Sequence, residues 1–191
     1  MEISKPEVRK KIREITASLS KEEKLSLSER ATYLLENDPL FKNAEIVALY
    51  WSLDDEVDTH RFIEKWNDKK TILLPVMEGD NIYFATYDGL NDLVKEDKFG
   101  VLQPGNSNIY NIKTIELIVV PGVAFDHKNN RLGRGKGYYD RALSYSSCPK
   151  ISLIPAKMNA GCADRTMPLI RPAQNLPSVL PSRLVISWLV C

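Results

Sequence analysis

The segment RLGRGKGYYDR, residues 131–141, contains a short loop whose residue types suit the binding of an anion. Its three glycines alternate with two cations, in the order Gly133, Arg134, Gly135, Lys136 and Gly137. Glycines lack the Cβ atoms that block close backbone approach, and they accept positive φ, so consecutive N–H groups can turn toward one ligand. A polyphosphate is the natural ligand, because it offers several oxygens at the spacing of such amides.

An acidic residue follows the loop at once. Asp140 would repel a phosphate unless a cation lay between them, and Mg²⁺ is commonly held by one or two carboxylates together with substrate phosphates. We therefore expect Asp140 to bind Mg²⁺. A helix that is predicted to begin near Tyr138 would add the positive end of its dipole to the anion site.

The loop matches neither the G-x-x-x-x-G-K-[ST] pattern nor the dinucleotide pattern G-x-G-x-x-G. Three interpretations therefore stay open on the residues alone: a structural turn, a phosphate site, and an Arg/Gly contact with nucleic acid. The formal net charge of +1 gives no electrostatic reason to expect a nucleic-acid or membrane partner for the whole protein.

Strands and helices alternate along the chain, which predicts an α/β domain with a largely parallel central sheet. Capping-box spacings at Ser4–Glu7 and Ser20–Glu23 predict two helices, and a third is expected around Phe62–Trp66. Continuous β-prone runs predict strands over residues 45–53, 71–76, 82–87 and 115–125. The glycine loop then lies between a strand and a helix, where open α/β sheets bind ligands.

Composition indicates one globular domain over residues 1–191 and excludes several classes of site. Two histidines are too few for a histidine metal cluster or an evident nucleophile pair, and three cysteines indicate reduced thiols. The charged start of the chain indicates no secretory signal, and the apolar stretches are shorter than a membrane span, so we expect a cytoplasmic protein. Five of the eleven prolines lie in the last forty residues, where periodicity is weak apart from a possible strand within residues 183–190.

Residues 121–141, PGVAFDHKNNRLGRGKGYYDR, resemble the signature of the 5-formyltetrahydrofolate cyclo-ligase family, also called 5,10-methenyltetrahydrofolate synthetases. Three further segments are similar to family segments in the same order: RKKIR at 9–13, YWSLDDEVDT at 50–59 and FGVLQP at 99–104. The resemblance covers roughly residues 8–145, and the tail departs from the family pattern.

This resemblance implies a three-layer α/β/α fold like that of the NagB/RpiA/CoA-transferase group. It also implies an enzyme that uses ATP and Mg²⁺ to convert 5-formyltetrahydrofolate to 5,10-methenyltetrahydrofolate, releasing ADP and phosphate. We expect a monomer that acts on this small molecule and binds neither nucleic acid nor membranes. The alternatives are a non-catalytic folate- or nucleotide-binding relative and an RNA-binding protein.

The resemblance also implies roles for individual residues. Arg134 and Lys136 would be catalytic, and Asp140 would bind the metal. The residues expected to bind ATP are Arg9, Lys10, Arg13, Arg131, Leu132, Gly133, Arg134, Gly135, Lys136, Gly137, Tyr138 and Tyr139. Those expected to bind the folate are Trp51, Glu56, Arg134, Gly135, Lys136, Gly137 and Tyr138.

Several side chains near these positions have simpler explanations. Trp51 and Tyr139 equally suit core packing. Asp54 and Asp55 are expected to cap the next helix or to face water, and His60 and His127 are expected to be ordinary surface or loop residues.

Overall fold

The computed structural model describes residues 4–98, 100–105, 108–125, 130–154 and 185–186 of the chain. Within these ranges the helices are α1 (Lys5–Ala17), α2 (Lys21–Asn37), α3 (Pro39–Asn43), α4 (His60–Asn67) and α5 (Tyr138–Leu143). The strands are β1 (Ile46–Ala48), β2 (Thr71–Glu78), β3 (Asn81–Thr86), β4 (Leu93–Lys95), β5 (Leu102–Pro104), β6 (Ile109–Tyr110), β7 (Leu117–Val119), β8 (Ala124–Phe125), β9 (Arg131–Leu132), β10 (Lys150–Leu153) and β11 (Val185–Ile186). Short 3₁₀ turns lie at Leu90–Asp92 and Ile112–Thr114.

Both predicted capping boxes are present at the starts of α1 and α2. In α1 the backbone N–H of Ser4 donates to Glu7 Oε2 at 2.7 Å. In α2 the N–H of Ser20 donates to Glu23 Oε2 at 2.9 Å, and the N–H of Glu23 donates to Ser20 Oγ at 3.1 Å. These bonds satisfy backbone N–H groups that a helix start leaves unpaired, so the sequence located both helix starts correctly.

The main sheet is mixed. Its described strands follow the order β11-β10-β7-β1-β2-β3-β6. The strands from β11 to β2 are parallel to their neighbours, whereas β3 is antiparallel to β2 and β6 is antiparallel to β3. The α/β class is confirmed, and the sheet is parallel except at one edge.

Alternate residues of the central strands enter two different apolar clusters. Val47 of β1 packs in the cluster that also holds Phe41 of α3 and Ile63 of α4. The neighbouring Ala48 packs in the cluster that includes Ala142 of α5. The central strands are therefore buried on both faces, as their uninterrupted apolar sequences predicted.

Two predicted strands are shorter than expected. The strand predicted over residues 45–53 ends at Ala48, because the chain beyond it bonds to the start of α4: Thr59 donates its side-chain hydroxyl to Tyr50 O and its N–H to Ser52 Oγ. The strand predicted over residues 115–125 is divided into β7 and β8 by a segment that contains Pro121, which has no N–H to donate to a sheet.

Several other strands were not predicted. These are the small sheet formed by β4 and β5, the edge strand β6, the strand β9 that pairs with β8, and β10. Each has two to four residues, too few for a periodic pattern to identify. The strand expected within residues 183–190 is present at Val185–Ile186, and the rest of that segment lies outside the described residues. No helix in the described part of the chain combines the length and apolar character needed to cross a bilayer.

Candidate active site

The basic helix α1 lies beside the glycine loop because both pack on one small apolar cluster. Val8 and Ile12 of α1 are buried there against Phe125 of β8 and Leu132 of β9. On the polar side of this contact, Arg9 Nε donates to the carbonyl oxygen of Gly133 at 2.9 Å, across 124 residues of sequence. The structure therefore brings together the two basic segments that the sequence analysis singled out.

The glycine loop uses positive φ at two of its three glycines. Gly135 has φ 106° and Gly137 has φ 71°, whereas Gly133 is outside the positive-φ group. A Cβ at Gly133 would instead lie 2.7 Å from Arg131 Nη1, so a larger residue there would require the Arg131 side chain to shift. A Cβ at Gly135 would lie 3.4 Å from Arg9 Nη2. The loop conformation thus favours glycine at Gly135 and Gly137 because of their positive φ.

The far end of the loop is tied to the turn between β2 and β3. Arg141 donates from Nη1 to Lys136 O at 3.1 Å and from Nε to Asp80 O at 3.0 Å. Tyr138 donates its hydroxyl to Gly79 O at 3.2 Å. The sequence analysis assigned no role to Arg141, which the structure shows to connect the loop to the main sheet.

Arg134 extends from the loop toward the segment that follows β1. Its Nη1 and Nη2 bind the two carboxylate oxygens of Asp55, with Nη1 3.1 Å from Oδ2. Its Nε and Nη2 donate to Glu56 Oε1 at 3.2 and 3.1 Å. The loop therefore meets the chain at the carboxyl end of a parallel strand, which is the usual position of a ligand site in such sheets.

Asp54 and Asp55 were expected to cap the next helix or to face water, and Asp55 meets this only in part, because its side chain is 40% exposed but ion-paired. Its carboxylate pairs with Arg134 and does not cap α4, whose first N–H, at His60, bonds to Asp58 at 2.9 Å. The local sequence does not indicate the pairing of Asp55 with Arg134, because the two residues lie 79 positions apart in the chain and on different elements.

Glu56 is held more firmly than its neighbour. Its Oε2 accepts the N–H of Leu53 at 3.0 Å while Oε1 faces Arg134. Its side chain is 13% exposed, compared with 40% for Asp55. Glu56 is thus a fixed acceptor at the floor of the site, and Asp55 is the outer of the two carboxylates.

Asp140 forms an ion pair with Arg131. Arg131 is largely buried, donates from Nη1 to Pro121 O at 3.1 Å, and lies over the ring of Tyr139. In the described ranges no group of three or more histidines, cysteines or acids is arranged to hold a metal ion. A metal at Asp140 would therefore need oxygens from a ligand, which suits Mg²⁺ on a phosphate.

Tyr139 lies beneath these charged groups. Its hydroxyl oxygen is buried and has no hydrogen-bond partner among the described residues. Burial raises the pKa of Tyr139 strongly, and the negative charge of Glu56 raises it further. The hydroxyl therefore stays protonated at neutral pH, and the ring packs in the apolar cluster with Ala142.

Trp51 takes part in an aromatic group. Its ring stacks on His60 at 4.1 Å between centroids and lies 5.8 Å from Tyr87, whose hydroxyl donates to Glu64. His60 is the first residue of α4, with Nε2 3.1 Å from Ser52 O, and its side chain is 39% exposed, so it lies at the surface as expected. His127 lies outside the described residues.

The remaining predicted site residues fall into two groups. Lys10, Arg13 and Lys136 are exposed, and the charge of Arg13 contributes to lowering the pKa of Asp55. Leu132 is 2% exposed and packs against α1, so its side chain supports the loop and does not face the site.

An α/β sheet with a cationic glycine loop at the carboxyl ends of its parallel strands is typical of enzymes that bind phosphorylated ligands. Residues 1–159 match the model of the 5-formyltetrahydrofolate cyclo-ligase family. The chain therefore belongs to this family of ligases, which confirms the resemblance of the motifs.

Individual relatives of the chain carry names of the same family. A 5-formyltetrahydrofolate cyclo-ligase of Haemophilus influenzae is 30% identical over 181 residues, covering 90% of this chain and 89% of its own. One from Mus musculus is 28% identical, covering 71% of each chain. The NMR structure of the Aquifex aeolicus 5,10-methenyltetrahydrofolate synthetase superposes with a TM-score of 0.71 at 36% identity, covering 79% of this chain and 77% of that one. A Mycoplasma pneumoniae synthetase gives 0.62 at 26% identity, covering 78% and 84%.

Proposed function

We propose that this enzyme uses ATP and Mg²⁺ to convert 5-formyltetrahydrofolate to 5,10-methenyltetrahydrofolate, with release of ADP and phosphate. The observation that carries the proposal is the convergence of α1, the glycine loop and Glu56 on one site. Family membership supports the folate substrate, and the concentration of cations at the loop supports a triphosphate.

The nucleotide site comprises α1 and the loop. Helix α1 provides positive charge through Arg9, Lys10 and Arg13. The loop itself provides it through Arg134 and Lys136. The N–H groups from Gly133 to Gly137 donate to phosphate oxygens, which can come close because no Cβ intervenes. Arg131 and Tyr139 flank the glycine loop in sequence and pack on each other, which supports this region.

The folate site lies on the Glu56 side of Arg134. A carboxylate accepts two parallel N–H bonds from the aminopyrimidinone edge of a pterin, and the partly buried Glu56 is fixed for such recognition. Trp51 and Tyr138 supply aromatic surface for the ring system. Arg134 bridges the two sites, because it touches Glu56 and belongs to the loop.

The chemistry requires no protein nucleophile. The formyl oxygen of the folate attacks the terminal phosphorus, the bond to ADP breaks, and the phosphorylated formyl group becomes an iminium phosphate. N10 then attacks the formyl carbon, loses its proton, and the C–O bond breaks to release phosphate and leave the methenyl bridge. Arg134 and Lys136 stabilise charge on the transferring phosphoryl group, so catalysis consists mainly of positioning and electrostatics.

Asp140 is the residue that would hold Mg²⁺ together with the phosphates. A single carboxylate plus phosphate oxygens suits this ion, which dehydrates reluctantly and retains waters. When bound, Mg²⁺ neutralises part of the phosphate charge. Arg131 keeps Asp140 at the loop by their ion pair.

We further propose that the enzyme acts as a monomer in the cytoplasm. Cys148 is a free thiol, which suits a reducing compartment. Light scattering of the purified chain checks the oligomeric state, and a dimer that persists on dilution would contradict it.

The proposed reaction is tested by mixing the purified protein with 5-formyltetrahydrofolate, Mg²⁺ and ATP and following the absorbance of the methenyl product. We expect product only when all three are present. Arg30→Ala serves as a control variant, because it removes an exposed positive charge on α2 outside both basic segments. It is expected to form product as the wild type does. A folded protein that forms no product in an ATP-dependent way would contradict the proposal.

A second candidate function is ligand binding without turnover. It is favoured by the end of the family match at residue 159, which leaves the last part of the chain unmatched. The Haemophilus influenzae relative opposes it, because that match extends over 90% of this chain. Calorimetry that detects folate or nucleotide binding in a preparation without turnover would favour this alternative.

A further inference from the structure

Both hydrogen-bonding faces of the Arg134 guanidinium are occupied by carboxylates. Asp55 binds the end-on face through Nη1 and Nη2, and Glu56 binds the side-on face through Nε and Nη2. A phosphate binds a guanidinium through the same paired N–H groups as a carboxylate does. An anion that binds Arg134 through two paired N–H groups must therefore replace one of these two side chains.

The two carboxylates differ in how easily they can be replaced. Glu56 is mostly buried, and its other oxygen accepts the N–H of Leu53, so moving it breaks a second bond. Asp55 gives both oxygens to Arg134 and is 40% exposed, so solvent can take over its hydrogen bonds. Asp55 is thus the easier of the two carboxylates to displace.

The charges around Asp55 are those assigned to the nucleotide. Burial alone would raise the pKa of Asp55, but hydrogen bonds and charge from Arg134, with a further contribution from Arg13, lower it. Burial likewise works against the charged form of Arg134, but Asp55 and Glu56 raise its pKa. Cations from the loop and from α1 therefore act on this carboxylate as they would on a phosphate.

We propose that Asp55 competes with the phosphates of the nucleotide for the end-on face of Arg134, an inference that rests on the function proposed above. Nucleotide binding then includes the exchange of a carboxylate for a phosphate oxygen. Asp55 weakens the binding of every anion at the loop, whereas Glu56 stays in place to receive the folate. Asp55 is a positioning residue that sets nucleotide affinity and takes no part in the chemical step.

The test compares Asp55→Asn with Asp54→Asn, which removes the same charge one residue earlier from an exposed side chain. Calorimetry at fixed ionic strength measures the Kd of a non-hydrolysable ATP analogue with Mg²⁺. We expect Asp55→Asn to tighten binding by about two- to fivefold, the range for an exposed ion pair, and Asp54→Asn to leave the Kd unchanged. Asp55→Ala, which retains no acceptor, is expected to tighten binding at least as much.

Turnover provides a second readout. Asp55→Asn is expected to lower the KM for ATP while kcat and the KM for the folate stay within the error of the wild type. Thermal unfolding of each variant verifies the fold. A merely structural role for Asp55 would change the unfolding midpoint without lowering the KM for ATP.

The outcomes separate the inference from the function on which it rests. If the wild type binds the analogue and Arg134→Ala weakens binding, but Asp55→Asn and Asp55→Ala bind like the wild type, the competition is refuted and the phosphate site stands. An equal gain in Asp54→Asn would refute it too, because net charge would then explain the effect. A wild-type chain that binds no analogue contradicts the proposed function, and the competition is refuted with it.

Discussion

The arginines that contact the glycine loop from either end differ in their partners from the arginine within it. Arg9 and Arg141 donate to backbone carbonyls, at Gly133 on one side and at Lys136 and Asp80 on the other. Arg134, in the middle of the loop, is bound to carboxylates. A carbonyl cannot leave without moving the backbone, whereas a side-chain carboxylate can give way to a phosphate. The first contacts hold the loop in place, and the second lie where we propose that its ligand binds.

The largest effect is expected from Arg134→Ala. In the proposed reaction this variant loses the cation that stabilises charge on the transferring phosphoryl group, so we expect kcat to fall on the order of 10²- to 10³-fold. The ATP-dependent absorbance assay measures the change, and thermal unfolding of the variant verifies that it is folded. Turnover within a few-fold of the wild type would show that Arg134 does not belong to the catalytic group.

Arg141→Ala tests the other half of the comparison. Losing the bonds to Lys136 O and Asp80 O should let the loop move relative to the sheet, and misplacement of this kind lowers kcat by roughly tenfold or more. Arg141→Lys can restore one of these bonds and should recover part of the activity. If both variants retain full activity, the carbonyl contacts do not position the loop.

Gly135→Ala sharpens the distinction between backbone strain and ligand contact. Alanine at φ 106° is strained, so we expect a loss of roughly 1–3 kcal/mol in the free energy of unfolding. Gly89 has φ 107° and open space around it, which makes Gly89→Ala the matched control. Both variants should lose stability in urea titrations, and only Gly135→Ala should also lose turnover. Equal turnover in the two would contradict a role for the loop.

The smallest effect is expected at the buried hydroxyl of Tyr139. Tyr139→Phe removes a buried hydroxyl that lacks a partner in the described structure, so we expect the free energy of unfolding to rise by about 1 kcal/mol. Tyr87→Phe removes a hydroxyl bound to Glu64 and should lower it by about the same amount. Denaturant titration measures the free energy of unfolding of both variants. A loss of stability in Tyr139→Phe together with a gain in Tyr87→Phe would contradict this account.

Local sequence patterns predicted the helix starts and the glycine loop because their causes are local. A serine and a glutamate three residues apart make a capping box within a single turn, as at Ser4 and Ser20. The same holds for the loop, where missing side chains permit its conformation at Gly135 and Gly137.

The pairing of charges could not be predicted from the sequence. Asp55 and Arg134 meet only because the chain turns away from the sheet after β1, and that turn depends on the bonds of Thr59 to Tyr50 and Ser52. The roles of Arg141 and of the small strands β8 and β9 likewise depend on tertiary contacts. Sequence reasoning therefore located the glycine loop but not the carboxylate that pairs with Arg134.

The most direct test of the account is a crystal structure of the protein with a non-hydrolysable ATP analogue and Mg²⁺. We predict phosphate oxygens within hydrogen-bonding distance of the N–H groups between Gly133 and Gly137, and Arg134 bound to a phosphate with Asp55 displaced. A nucleotide bound elsewhere, with the loop unchanged and Arg134 still paired with Asp55, would contradict the central claim.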